Sequence, residues 1–214
     1  MQSHLARFIA LLFLLGSGVA KSQTLNWASL TGSAIVDSDG GALNNTFVFQ
    51  LGAFDPDFEP IESNIGEWAA NWRVFDTADY AYDVTSQSGY FTGTQSLQNV
   101  PDYPTMFQGL TAYLWIRNGA HTEYFLASAA AKPGVDPWKF PELDPGCCPT
   151  GVTTWSISDL GDDTPIWGSQ GNEVGGGNFV ASGPFDIQTH NVPEPGAWLF
   201  LLLVAPLVSL RRRR

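Results

Sequence analysis

Short apolar runs that end at turn-forming residues dominate the hydrophobic pattern of this chain. The clearest example is residues 111–127, TAYLWIRNGAHTEYFLA, where two apolar and aromatic runs flank an Asn-Gly pair. Asn-Gly between two such runs is a strong signal for a tight turn. The pattern therefore predicts an antiparallel hairpin whose strands, 111–116 and 123–127, are buried near the centre of a sheet.

Similar runs predict further strands. Residues 33–36 and 46–51 flank the segment DSDGG, which predicts a second hairpin with an Asp-Gly turn. The same segment could open a calcium loop, but its fifth position is Gly41 and its twelfth is Val48, where an EF-hand loop needs oxygen ligands. The turn is the favoured interpretation. Further strands are predicted at 74–75, 90–92, 153–157 and around 179–180, with loops at 54–60, 132–151 and 168–177.

One segment, residues 64–72, has helical periodicity. Apolar residues recur at i, i+3, i+4 and i+7 from Ile65 to Trp72, and Asn64 and Glu67 have the spacing of a capping box. One short helix is predicted there, with its aromatic face packed on the sheet. A platform of Trp68 and Trp72 for stacking sugar rings is the alternative.

Many short strands, frequent turn signals and one short helix indicate an all-β fold. Residues 24–191 are predicted to form a single β-sandwich or jelly-roll-like domain. Seven Trp, six Tyr and eleven Phe lie in this part of the chain, which supplies apolar surface for a core and excludes a disordered segment. The sequence contains no repeat of fixed period and no internal domain boundary.

Residues 1–20 have the three parts of a secretory signal peptide. A short basic start is followed by the apolar run FIALLFLL at 8–15 and by small residues at 18–20. Cleavage is predicted after Ala20, with cleavage after Ser22 as the alternative. An uncleaved N-terminal anchor is the other interpretation of this segment.

The last residues of the chain also have three parts. They are the polar motif Pro193, Glu194 and Pro195, the uncharged segment 197–210, and the basic cluster Arg211, Arg212, Arg213 and Arg214. A helix over the 14 uncharged residues would span about 21 Å, less than the roughly 30 Å of a hydrocarbon core. Arginine favours the cytoplasmic side, which predicts a marginal transmembrane helix with residues 24–191 outside. A permanent anchor and a buried core helix are the alternatives.

This motif, apolar segment and arginine cluster, in this order, resemble the PEP-CTERM sorting signal of exported bacterial proteins. The resemblance covers residues 192–214, about a tenth of the chain, and leaves residues 24–191 outside it. It implies recognition by an exosortase, a membrane-embedded processing enzyme that acts near the motif. It also implies membrane attachment through the C-terminal helix, followed by delivery to the cell surface or extracellular matrix.

The charge of the chain changes when the two ends are set aside. Residues 24–192 contain four Lys and Arg and 20 Asp and Glu, a net charge of −16, whereas the whole chain carries −11. Such a surface repels nucleic acid, so a nucleic-acid partner is not expected. Acidity suits a soluble exported domain and does not by itself define a metal site.

Cys147 and Cys148 are the only cysteines and are adjacent. Export places them in an oxidising compartment, where they could form a strained vicinal disulfide. Free thiols and a bond to another chain are the alternatives. Metal binding is not expected because no second cysteine or histidine cluster completes a site.

No catalytic motif is present, and no catalytic residue, cofactor or metal is predicted. The two histidines of residues 24–191, His121 and His190, lie in no recognisable nucleophilic motif, and the chain has neither a Walker loop nor a dinucleotide fingerprint. We therefore expect a structural or adhesive protein of an exopolysaccharide matrix, not an enzyme. A carbohydrate-binding module is the first alternative, and a secreted glycan hydrolase with an unidentified carboxylate pair is the second.

Overall fold

The protein is described by a computed structural model over residues 23–83, 88–143, 151–161, 164–171, 183 and 185–193. Several predicted features lie outside these residues. They are the signal peptide at 1–20, Cys147 and Cys148, the strand around 179–180, Glu194 and Pro195, the apolar segment 197–210, and the cluster Arg211–Arg214. Among the described residues, no helix is long and apolar enough to cross a membrane.

Strands dominate the described part, which confirms a mostly β fold. They are β1 (Thr24–Ala28), β2 (Ile35–Val36), β3 (Phe47–Phe54), β4 (Trp72–Thr77), β5 (Asp79–Asp83), β6 (Ser88–Ser96), β7 (Tyr113–Asn118), β8 (Glu123–Ala127), β9 (Val152–Ser156), β10 (Pro165–Trp167), β11 (Ser169–Gln170), β12 (Ile187–Gln188) and β13 (His190–Asn191). The helical elements are short: α1 (Trp68–Asn71), α2 (Tyr103–Met106) and 3₁₀ turns at Glu62–Glu67, Leu97–Asn99 and Ile157–Asp159.

The strands form three sheets. The four-stranded sheet has the order β5-β6-β1-β9, and the three-stranded sheet has the order β11-β12-β2. The six-stranded sheet has the order β10-β8-β7-β3-β4, with β13 also paired to β8. Neighbouring strands are antiparallel except β1 with β9 and β12 with β2, which are parallel.

The four-stranded and six-stranded sheets face each other across one aromatic core. Phe49 of β3 lies 5.1 Å, between ring centroids, from Phe91 of β6 and stacks at 4.6 Å on Tyr80 of β5. This arrangement is consistent with a β-sandwich. All buried hydrophobic side chains of the described part lie between Leu25 and Ile187. We therefore expect residues 23–193, called the body below, to fold as a unit.

A second hydrophobic cluster covers the opposite face of the six-stranded sheet. Trp68 is completely buried there and meets Trp115 of β7 edge-on at 6.3 Å between centroids. The predicted packing of the helical segment on the sheet is therefore confirmed. The alternative of a sugar platform that includes Trp68 is wrong, because its ring has no accessible surface.

The helical segment differs from the prediction in its start and its capping. It begins at Glu62 and is a 3₁₀ turn up to Glu67, with α-helix only over α1. Asn64 is not the N-cap. Its Oδ1 accepts hydrogen bonds from the Ile61 backbone N–H at 2.9 Å and from Trp68 Nε1 at 2.8 Å. The side chain that the spacing predicts as the N-cap, Asn64, is therefore the hydrogen-bond acceptor of the buried Trp68 indole.

The predicted hairpin at 111–127 is confirmed. β7 and β8 pair antiparallel from Leu114 opposite Ala127 to Arg117 opposite Tyr124, and β7 lies inside the sheet between β8 and β3. The residue with a left-handed backbone in the turn is His121, with φ of 58°.

The second predicted hairpin is wrong, although its turn exists. Asp37 Oδ1 accepts the backbone N–H groups of Asp39 and Gly41, at 3.0 and 2.7 Å. The turn folds the chain back only as far as a bridge between Val36 and Ala42. β2 then joins the three-stranded sheet and β3 the six-stranded one. No group of three or more metal-ligating side chains occurs in the described part of the chain.

One hydrogen bond joins the two large sheets through the core. Trp27 Nε1 of β1 donates to Asp76 Oδ2 of β4 at 2.8 Å, and the Thr77 backbone N–H donates to Asp76 Oδ1 at 2.9 Å. Burial raises the pKa of Asp76 above its ordinary value, and these two donors partly oppose that rise. The indole passes over Gly93 of β6, where a Cβ atom would overlap Trp27 and approach Asp76.

We expect Gly93→Ala to lower the free energy of unfolding of the body by about 1–3 kcal/mol, because the new methyl group overlaps a fixed indole. Gly66→Ala is the matched control. Gly66 has no atom within 4 Å of the Cβ position, and this variant should be unchanged or about 0.4–1 kcal/mol more stable. Urea unfolding of both variants measures the difference, and equal effects would contradict the close approach.

Candidate functional site

An open cleft lies at the end of the sandwich where the chain crosses from one large sheet to the other. Its volume is about 530 Å³, within the range of small-ligand sites. We call it the tyrosine cleft and define it by six of its lining residues, Asn44, Asn45, Phe47, Asp79, Tyr80 and Tyr82.

The short crossing between β4 and β5 forms this cleft. β4 ends at Thr77 in the six-stranded sheet and β5 begins at Asp79 in the four-stranded sheet, so Ala78 alone connects them. The Ala78 backbone N–H donates to the Phe49 carbonyl at 3.0 Å. The segment DYAYD then alternates along β5, which places Tyr80 and Tyr82 on the same side of the strand.

Tyr80 forms the inner wall of the tyrosine cleft. Its ring stacks on Phe49 with an interplanar angle of 17°, and its hydroxyl group lies over Gly89. Among the described residues, this buried hydroxyl group has no hydrogen-bond partner. Burial, helped by the neighbouring Tyr82, raises the pKa of Tyr80 to about 12. Tyr80 therefore stays neutral at physiological pH.

Tyr82 supplies the accessible aromatic surface. Its side chain is 37% exposed, and its partner across β6 is Gly89, which has no side chain to cover the ring. Asn44 and Asn45 add amide groups to the lining of the cleft. Asn44 Oδ1 accepts the Thr46 backbone N–H at 2.8 Å, so the NH₂ group is its remaining donor.

The chemistry of the lining residues suits an uncharged, hydroxyl-rich ligand. An aromatic ring offers an apolar face to a sugar ring, and amide and carboxylate groups exchange hydrogen bonds with its hydroxyl groups. Among the lining residues that the structure describes, Asp79 is the one charged residue and none is basic. The carboxylate of Asp79 would therefore repel an anionic ligand.

A second, smaller pocket of about 330 Å³ lies beside the last strand. It is lined by Glu62, Trp167, His190 and Asn191, among others. Trp167 Nε1 donates to the His190 carbonyl at 3.2 Å, and burial lowers the pKa of the His190 imidazole. Trp167 and His190 are each only partly exposed, whereas Tyr82 in the tyrosine cleft is exposed.

Neither pocket brings together the carboxylates that glycan hydrolysis requires. The tyrosine cleft contains Asp79 and the second pocket contains Glu62, one carboxylate each among their described lining residues. Glycosidases use two carboxylates about 5–10 Å apart. The described lining residues therefore include no carboxylate pair in either pocket, and the prediction of a non-enzyme stays a prediction.

The structure describes only the first residue of the predicted sorting motif. β13 ends at Asn191, the Val192 backbone N–H donates to the Thr122 carbonyl at 2.7 Å, and Pro193 is exposed. The last described residues therefore lie beside the β7–β8 turn. The remaining motif residues, the arginine cluster and both cysteines lie outside the described residues.

The residues of the tyrosine cleft are not among the site residues predicted from the sequence. The alternation in DYAYD predicts a strand with two tyrosines on one face, and that signal was available. No local pattern shows that this strand changes sheets after Ala78. The neighbourhood of Asn44 and Tyr82 depends on that crossing.

Comparisons with known proteins add no family to this picture. No family model, no curated protein and no solved structure matches the chain. The resemblance of residues 192–214 to a sorting signal therefore rests on their own pattern.

A double-mutant cycle can test the position of Tyr80. A Cβ atom at Gly89 would overlap the Tyr80 hydroxyl group and ring, so Gly89→Ala should cost about 1–3 kcal/mol of unfolding free energy. In a Tyr80→Ala background the same change should cost less than about 0.5 kcal/mol. Gly66→Ala should have the same effect in both backgrounds. Additive effects of Gly89→Ala and Tyr80→Ala would show that the two residues are not in contact.

Proposed function

We propose that this protein is an exported, membrane-sorted surface protein whose body binds neutral polysaccharide in the tyrosine cleft. It acts as an adhesive component of an extracellular polysaccharide matrix. The body binds the polysaccharide, and the C-terminal tail directs the protein to the cell surface.

One observation carries the binding proposal, namely that the exposed Tyr82 and two asparagines line the same open cleft. Tyr80 is stacked on Phe49, so the strand that presents Tyr82 is fixed by the core. A preformed site does not lose the free energy of ordering a loop when it binds.

Charge supports a neutral ligand. The body carries four basic and 20 acidic residues over 24–192, and Asp79 lies in the cleft itself. A polyuronate would be repelled by the body at long range and by the cleft at contact, whereas a neutral chain would not.

The two chain ends support export and sorting. Residues 1–20 have the order of a secretory signal, and residues 193–214 have the order of a PEP-CTERM-like signal. Fourteen uncharged residues with Pro206 among them form a poor permanent span, which suits a segment that holds the protein only until an exosortase acts.

We expect the body to be retarded in affinity electrophoresis by a neutral glucan or galactomannan and not by alginate. Tyr82→Ala should weaken the retarding interaction at least about tenfold, because it removes the exposed stacking surface. Tyr90→Ala is the matched control, since Tyr90 is 45% exposed on the neighbouring strand β6 and does not line the cleft.

Two results would overturn the binding proposal. One is no retardation by any neutral polysaccharide in the panel. The other is an equal loss in the Tyr90→Ala variant, which would place the sugar on the opposite face of the four-stranded sheet. Thermal unfolding of each variant checks that the body remains folded.

For sorting, mass spectrometry of the surface-exposed chain should find a C-terminus before residue 197. Replacing Pro193, Glu194 and Pro195 by alanine should leave the chain intact through Arg214 and attached to the membrane. Alanine at Asp136 and Pro137, an exposed pair in the body, should not change processing. A surface form that still ends at Arg214 would leave a permanent anchor in place of a processed tail.

A further inference from the structure

The described sheets leave four strands of three or more residues at their edges, and three of them carry features that prevent pairing with another chain. β4 contains Arg73 and Asp76 and pairs with β3 across a bulge. β5 begins and ends with aspartate. β10 has three residues and starts with proline. Charges, bulges, proline and short length are the usual protections of an exposed edge.

β9, the fourth edge strand, has none of these protections. Its sequence is VTTWS, with no charge and no proline, and its register with β1 is regular over all five residues. Valine, threonine and tryptophan also favour extended strands. β9 is therefore the edge best suited to accept another strand.

The backbone groups that face outward from β9 can be assigned from its pairing. The Gly151 carbonyl accepts the Thr24 backbone N–H at 3.0 Å, so it points toward β1. Backbone groups alternate along a strand, so those of Thr153 and Trp155 also face β1, and those of Val152 and Thr154 face outward. Among the described residues, no hydrogen bond engages the N–H or carbonyl of Val152 or Thr154.

The inner face of β9 is packed in the core, so the position of its edge is fixed. Trp155 is 7% exposed and stacks on Trp138 at 5.5 Å between centroids. Outward, Val152 is 66% exposed, the most of any exposed large hydrophobic residue in the described part. Unpaired backbone groups beside an exposed valine make this edge a template for pairing with another strand.

The uncharged β9 edge suits a second copy of this chain as the partner. Two bodies that each carry a large negative charge repel each other wherever acidic residues meet. The β9 edge avoids this cost, because Val152, Thr154 and their neighbours on β1, Thr24 and Asn26, are all uncharged. We propose that β9 pairs antiparallel with β9 of a second copy across a twofold axis at Thr153. Val152 of each chain then lies opposite Thr154 of the other.

This pairing is self-complementary. Each Val152–Thr154 pair exchanges two backbone hydrogen bonds, which makes four bonds across the axis. The valine side chain gains the methyl group of threonine as a cross-strand neighbour on the outer face. Ser156 does not extend the pairing, because its backbone N–H donates to Asp159 Oδ2 at 2.8 Å. The dimer then has one continuous sheet of eight strands.

Sedimentation analysis of the body from about 1 μM to 1 mM should show a monomer–dimer equilibrium. Val152→Lys should raise the dimer dissociation constant at least about tenfold, because it places two ammonium groups at the twofold pairing. Val74→Lys is the matched control. Val74 is 45% exposed on edge strand β4, and its substitution should change the constant less than about twofold.

Thr154→Pro is a second, independent test. It removes an outward N–H while leaving the β1–β9 hydrogen bonds in place, so it should abolish the dimer. Hydrogen exchange at the Val152 and Thr154 amides should slow as the body is concentrated, and it should not slow in Val152→Lys. A monomer at all concentrations would overturn the proposal. A dimer that resists Val152→Lys and Thr154→Pro, or one that Val74→Lys weakens equally, would also overturn it.

Discussion

The arrangement of the two large sheets depends on one close approach, the passage of the Trp27 indole over Gly93 to Asp76. Only glycine leaves room there for the indole to reach the opposite sheet. Asp76 then accepts two N–H donors with its two carboxylate oxygens, which is how a half-buried carboxylate is stabilised. Asp76 lies two residues before Ala78, where the chain changes sheets. The same contact therefore fixes the point from which β5 and its tyrosines begin.

The tyrosine cleft follows from that crossing because the strand after it alternates. A single connecting residue cannot cover the end of the sandwich, so the space beside Phe47 and Asn44 stays open. Tyr80 stacks on Phe49 and its hydroxyl group is buried, whereas Tyr82 is exposed at the rim of the cleft. Tyr80 thus packs β5 against the core, and Tyr82 faces the cleft. The residue that stabilises the strand and the residue proposed to bind the ligand are therefore different residues of one strand.

The sequence patterns were sufficient where pairing partners are neighbours in the chain. The hairpin at 111–127 combines two apolar runs with a short turn, so its two strands pair with each other.

The sequence patterns were insufficient where a strand pairs with a segment that is distant in the chain. Residues 33–51 contain a real Asp-Gly turn, but β2 pairs with β12, about 150 residues away. The capping of residues 62–71 differed because Asn64 binds a buried indole, a contact that spacing alone does not show. The tyrosine cleft and the Gly93 approach belong to the same class, since each combines residues from two sheets.

The proposed binding site and the proposed dimer interface lie at opposite edges of the four-stranded sheet. In the order β5-β6-β1-β9, the tyrosines lie on the first strand and the pairing edge is the last. A dimer formed through β9 would carry its two clefts at the far ends of an eight-strand sheet, roughly 34 Å apart at about 4.8 Å per strand. Two clefts at that distance can hold two chains of a polysaccharide network, or two segments of one chain, with a gain in avidity that a single weak site lacks. Adhesion to a matrix would then follow from modest affinity at each cleft, because the sheet itself supplies the second site.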